Sequence, residues 1–209
     1  MDEKELNMNK MIFAVALSAS FLSSTPALAD QVTGTVNVSG TVAGRCSVIE
    51  SGAEKTSFSG NIDLGKLDQF DGTIRPELTS SSSTSPADAK KVVARVVCTS
   101  ANPTIGVSAT KLAIANAADP ATGYANVIDY VAALRVKTAS STTPLVEVKY
   151  DTLSDTAAVT AKLGSRIAGG TDNNVEVNVS SLRTKGGAGN VLTEGSYSSV
   201  VSLSIAPTI

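Results

Sequence analysis

The sequence predicts an all-β protein built as a sandwich of short strands. Three observations carry this. Apolar residues recur at every second position in "DQVTGTVNVSGTV" (30–42), "VVARVVC" (92–98), "NVEVNVSSL" (174–182) and "GSYSSVVSLSIAPTI" (195–209), and a period of two is the strand period. Val and Thr dominate these runs, and both are stiff at χ1 and favour sheets. Gly, Ser and Asn clusters separate the runs at the short intervals expected of a sandwich. Aromatic residues are only 4% of the chain and Trp is absent, so the core has to be Val, Leu, Ile and Ala.

The chain has 209 residues. "MIFAVALSASFLSS" (11–24) is an apolar run followed by "TPALA" (25–29), a small-x-small ending. This predicts a secretory signal over 1–29, cleaved before Asp30. The run is short for a membrane span of roughly 20 residues, and no second apolar span of that length follows. Asp2, Glu3 and Glu5 outweigh Lys4 and Lys10 in what should be a positive leader, whereas a start at Met8 leaves Lys10 and the amine alone. Of 17 basic and 19 acidic residues the first 29 hold two and three, so 15 face 16 in the remaining 180. No basic block points to nucleic acid.

Cys46 and Cys98 are the only cysteines. An even count in an exported chain predicts one disulfide. A free thiol or a metal pair is the alternative, but two lone sulfurs without any His make a poor zinc site. "TVAGRCSVI" and "VVARVVC" place both sulfurs on strands. The bond then staples two strands that are adjacent in one sheet or face each other across the core.

The remaining elements follow in order. "NIDLGKL" (61–67) reads as a short strand or turn-strand. "QFDGTIRPELTSSSSTSPAD" (69–88) is a polar passage, with Asp71-Gly72 a turn signal. "TIGVSAT" alternates through Ile105, Val107 and Ala109. "NVIDYVAALRVKT" holds one or two strands around Tyr130, Leu134 and Val136, and "LVEVKYD" follows through Val146, Val148 and Tyr150. "AAVTAKLGSRI" alternates weakly. "PADAKKVV" and "DTAAVTAKL" each offer a short helical turn. The last run sets Tyr197, Ser199, Val201, Leu203 and Ile205 on one face.

Without His there is no Ser-His-Asp or Cys-His arrangement and no His metal site. Acid pairs such as Asp151 with Asp155, or Asp63 with Asp68, read as scattered surface acids rather than glycosidase carboxylates. "AGGTDNN" (168–174) is a turn-rich loop, and "GGAGN" (186–190) lacks the lysine of a phosphate loop. The expectation is a protein that is not an enzyme and uses no cofactor and no metal.

The N-terminal layout resembles a chaperone–usher pilin, the subunit of a surface fimbria. An alternating segment, a Gly and then the first Cys stand in "GTVNVSGTVAGRCSV" (34–48). A "DLG" element follows at Asp63–Gly65, then a strand ending in the second Cys, and the chain closes with an alternating Val/Ile strand. The resemblance implies an incomplete immunoglobulin-like sandwich over 40–209, completed by a donor strand from a neighbouring subunit. It implies that 30–39 is the donor extension, with Val32, Val36 and Val38 filling pockets and Gly34 at a small position. Cys46 and Cys98 match the family disulfide. Val201, Leu203 and Ile205 match the last domain strand at the edge of the acceptor groove. The implied partners are like subunits in a homopolymer, a periplasmic chaperone and an outer-membrane usher, and the implied location is the surface of a Gram-negative cell. Thr208 stands where many familiar pilins have an aromatic penultimate residue. The tail is closer to the archaic branch and to spore-coat-U-like domains. A secreted coat or matrix sandwich that does not polymerise, and a carbohydrate-binding module, are the competing expectations.

Overall fold

The computed structural model describes residues 33–80, 91–118, 120–140, 145–185 and 189–208. The predicted signal, 1–29, lies outside the described residues, as does 86–90 of the helical turn expected in "PADAKKVV", while 91–93 of that run lie in a strand. The chain divides into two units, 1–40 and 41–209. Of the first, 33–40 is described; it carries no helix or strand, and its side chains are exposed.

The second unit is all-β. β1 (Cys46–Glu50) and β2 (Ala53–Lys55) are joined by Ser51 and Gly52, which have φ of 51° and 81°. Two successive positive φ values make the turn that matches strand twist. A four-residue helix, α1 (Pro76–Thr79), follows. Next come β3 (Lys91–Ala94), β4 (Val96–Cys98), β5 (Thr104–Ala109), β6 (Leu112–Ile114), β7 (Tyr124–Ala125) and β8 (Val127–Val136). The chain then forms β9 (Val146–Asp151), β10 (Val159–Lys162), β11 (Val175–Thr184), β12 (Val191–Leu192), β13 (Tyr197–Ser198) and β14 (Val201–Ala206). The largest sheet runs β13-β6-β8-β11-β3, with β9 also on β8. A second is β10-β5-β14, a third β2-β1-β4, and β12 pairs β7 in parallel.

The core lies between β8, β11 and β5. Ile128, Tyr130, Ala132, Leu134 and Val136 all face inward from β8 and are almost wholly buried, and Ile105 and Val107 meet them from β5. "NVIDYVAALRVKT" is therefore one long strand. The curved sheet does not close, and its edges stand 15 Å apart. Strands pair at about 4.8 Å, so these edges do not bond each other.

Two runs that read as single strands change sheets midway. In 91–98, β3 pairs β11 while β4 pairs β1, with Arg95 between them. Asn174 holds this corner. Its Nδ2 donates to the carbonyls of Val96 (2.8 Å) and Ala168 (2.9 Å), and its Oδ1 accepts from the Val96 N–H (2.8 Å). In 197–206, β13 pairs β6 while β14 pairs β5. Here Val200 N–H donates to Thr110 Oγ1 and Thr110 N–H donates to the Val200 carbonyl, both at 3.0 Å.

The outward face of the large sheet carries a charge ladder. Arg135 on β8 pairs with Glu147 on β9 (2.8 Å) and reaches Glu176 on β11 (3.6 Å). Lys149 and Lys91 flank them. Burial pushes the Glu147 carboxyl up, but the hydrogen bonds and charges of Arg135 and Lys149 outweigh it and hold the group below its ordinary value. A carboxyl with a lowered native pKa contributes stability that is present above the unfolded-state pKa and lost as pH falls through the native one. Thermal melts of the parent and Glu147→Gln should therefore differ near neutral pH and converge as pH falls below the glutamate range. A difference independent of pH would refute the ladder's contribution.

Candidate functional site

The open side of the unit is a groove of about 1020 Å³. A cleft of about 360 Å³ lined by Cys46, Val48, Thr56, Val96 and Ile205 continues it, since both share Phe58, Val201 and Leu203. One wall is β14. It pairs β5 through all six residues and has no partner on its other edge among the described residues. Val201, Leu203 and Ile205 are half-buried while Ser202, Ser204 and Ala206 are exposed, so the alternation in the sequence is the alternation of this wall.

The facing wall is the stretch 57–68. It carries no regular strand, and no backbone hydrogen bond joins 57–64 to another described residue. The stretch comes close to β3 because Gly60 has no side chain; a Cβ there would stand 2.5 Å from Val92 Cγ1. "NIDLGKL" therefore holds a turn rather than a strand. Asp63 Oδ1 accepts from Gly65 N–H at 2.8 Å, and Gly65 has a φ of 64° that a glycine adopts without strain. The walls run in opposite directions. Residues 56–58 face the Ile205 end of β14, and 66–68 lie at the end lined by 192–200.

Val92, Leu112, Tyr130, Val177 and Val179 also line the groove. The Tyr130 hydroxyl shares a hydrogen bond with Ser199 Oγ at 3.0 Å. Burial raises this phenol above its ordinary range despite the opposing effect of Ser199, so it stays neutral at physiological pH. Behind the groove's far end, Lys111 Nζ lies 2.8 Å from Oδ1 of the fully buried Asp129. That ion pair fixes the Thr110–Lys111 turn, which in turn holds Val200.

Cys46 and Cys98 form a disulfide between directly paired residues of the neighbouring strands β1 and β4. Of the two arrangements left open by the sequence, the bond is the one within a sheet. Val32 lies outside the described residues. Gly34, Val36 and Val38 are exposed and carry no strand, Val36 at 85% and Val38 at 92%. From sequence Val92, Tyr130 and Val177 read only as strand positions, and 61–67 only as a short strand or turn-strand, so none of them is marked as groove lining. For the facing wall the one signal is the lack of alternation at "SFSGNIDL".

The groove offers unpaired backbone, apolar pockets and little chemistry. No group of three His, Cys, Asp or Glu residues positioned for a metal occurs among the described residues. No helix among them is long and apolar enough to cross a membrane. No family model, curated protein or solved structure matches this chain.

Proposed function

We propose that this chain is the structural subunit of a surface pilus or fimbria, polymerising by donor-strand exchange and supporting adhesion or biofilm formation. In this reading the sandwich is immunoglobulin-like and lacks one strand. The extension 30–39 of one copy fills the groove of the next, after a periplasmic chaperone has covered it and an outer-membrane usher has passed the subunit to the cell surface. The observation that carries the reading is the groove between two unpaired backbone edges with apolar residues beneath. A strand laid there gains main-chain hydrogen bonds on both sides and puts alternate side chains into the pockets. Left empty, it is an exposed edge and an aggregation hazard. Val32, Gly34, Val36 and Val38 supply the alternation such a strand needs. Insertion of one copy into the next is heterologous and does not close, so it yields a filament.

The test is deletion of residues 30–39. The shortened chain should bind a synthetic peptide of that segment yet leave no ladder of polymers in unheated detergent gels. Filaments as abundant as those of the full chain would refute donor exchange through this segment and favour a coat or matrix protein.

A further inference from the structure

At the far end of the groove stands a rigid turn that the donor strand does not need. Asp68 and Ile74 form a β-bridge around Gln69–Thr73. Within it Gln69 N–H donates to the Thr73 carbonyl and Gly72 N–H to the Gln69 carbonyl, both at 3.0 Å. Asp71 Oδ1 accepts from both the N–H and the hydroxyl of Thr73. Leu192 N–H donates to the Gly72 carbonyl at 2.8 Å, tying the turn to β12. All this order holds out one side chain, Phe70, which is 99% exposed. Tyr124, 51% exposed, belongs to the strand paired with β12. Fixing a phenyl ring in water gains nothing for the fold, because its apolar surface stays wet.

The place where the chain enters the second unit says what meets this ring. Residues 41–45 join at the opposite end. There Thr99 Oγ1 donates to the Ala43 carbonyl (3.0 Å) and accepts from Arg45 N–H (2.9 Å), and Gly44 lies against Pro207. This is the end lined by Cys46 and Ile205. Resting on the donor-strand reading above, each copy's own extension therefore starts at the disulfide end. An incoming strand that emerged at the same end would drive its own domain into that root. It must instead run antiparallel to β14 and emerge at the far end, beside Gln69–Thr73. The neighbour's 41–45 arrives there with Val42, 85% exposed, and with Arg45, whose side chain is 68% exposed. The receiving end offers Phe70 and the acids Asp68, Asp71 and Glu194.

We propose that the Gln69–Thr73 turn is a second contact between copies of this chain, with Phe70 packing on the Thr41–Arg45 root of the neighbour whose strand fills the groove. The contact limits how the two domains swing about the Gly40 linker.

The test uses filaments sheared from cells making the full chain with Val42→Cys and Phe70→Cys together. They are treated with bis-maleimidoethane, then reduced and boiled. Both positions are exposed, and single-cysteine chains run beside the double one. The expected result is a ladder that survives boiling only in the double variant. A normal unheated ladder that boils down to monomer overturns the second contact and leaves donor exchange standing. No unheated ladder from the unsubstituted chain overturns both. In a second measurement, Phe70→Ser filaments should come apart at a lower temperature than the parent's, and an equal temperature overturns the contact.

Discussion

Asn174→Ala should unfold roughly 10 °C below the parent chain. Asn174 is 7% exposed, and its amide makes three hydrogen bonds to main-chain groups. Each such bond contributes about 1 kcal/mol net, and a buried group left without its partner costs about 1–3 kcal/mol. Truncation strands the Val96 N–H together with the Val96 and Ala168 carbonyls, so the total is about 3–5 kcal/mol. That is a large share of the roughly 5–15 kcal/mol that holds a domain folded. In a domain of this size about 1 kcal/mol moves the midpoint by 2–4 °C. Asn174→Asp keeps the acceptor for Val96 N–H and loses both donors, so it should also be destabilising. Calorimetry decides, and a loss under about 1 kcal/mol would mean that the corner at Arg95 is held by something else.

The paired change Cys46→Ser with Cys98→Ser has an effect of similar size by a different route. The bond spans 52 positions of sequence, and releasing a loop of that length from the unfolded chain costs about 4 kcal/mol in the chain-entropy account. The parent in reductant should lose as much, and the denaturant midpoint measures both. Function should suffer as well. Val48 is the one buried residue of β1, and Cys46 and Val48 line the cleft that continues the groove, so the unbridged strand frays and the cleft loses that lining. Affinity for the 30–39 peptide should fall with stability. The two changes share β4, where Val96 bonds Asn174 and Cys98 bonds Cys46, so their costs should not add.

What could be read in advance follows from how local each cause is. The alternation of Val175, Val177 and Val179 needs only its own neighbours to be seen, and it marks a true strand. So does the alternation of Val201, Leu203 and Ile205, which form the inward face of β14. Parity of cysteines gave the disulfide, but not its place in one sheet, because that depends on how β4 leaves β3. The breaks at Arg95 and at Ser199–Val200 were invisible, since they are made by Asn174, Thr110 and Tyr130 from distant parts of the chain. α1 lies inside 69–88, which the sequence shows only as a polar passage. Pro76 begins it, and the buried Leu78 anchors it, but four residues are too few to show a period. For 61–67 the sequence leaves a short strand or a turn-strand open, and the Asp63 side chain with the positive φ of Gly65 makes it a turn. Gly34, Val36 and Val38 carry a clear strand pattern and no strand. Alternation describes what a segment can pair with, and pairing takes two.

The disulfide sits on the first residue of β1, immediately after the root at Arg45. Tension applied to the chain ahead of it meets that covalent link before it meets the hydrogen bonds of β1. Load passes straight from Cys46 into Cys98, and so into β4 and the corner held by Asn174. A short strand that would otherwise peel from β4 one bond at a time is thus bolted at the point where peeling would start. Pulled from its N-terminal side in a force experiment, the oxidised domain should yield as one body, and the reduced domain should shed β1 first.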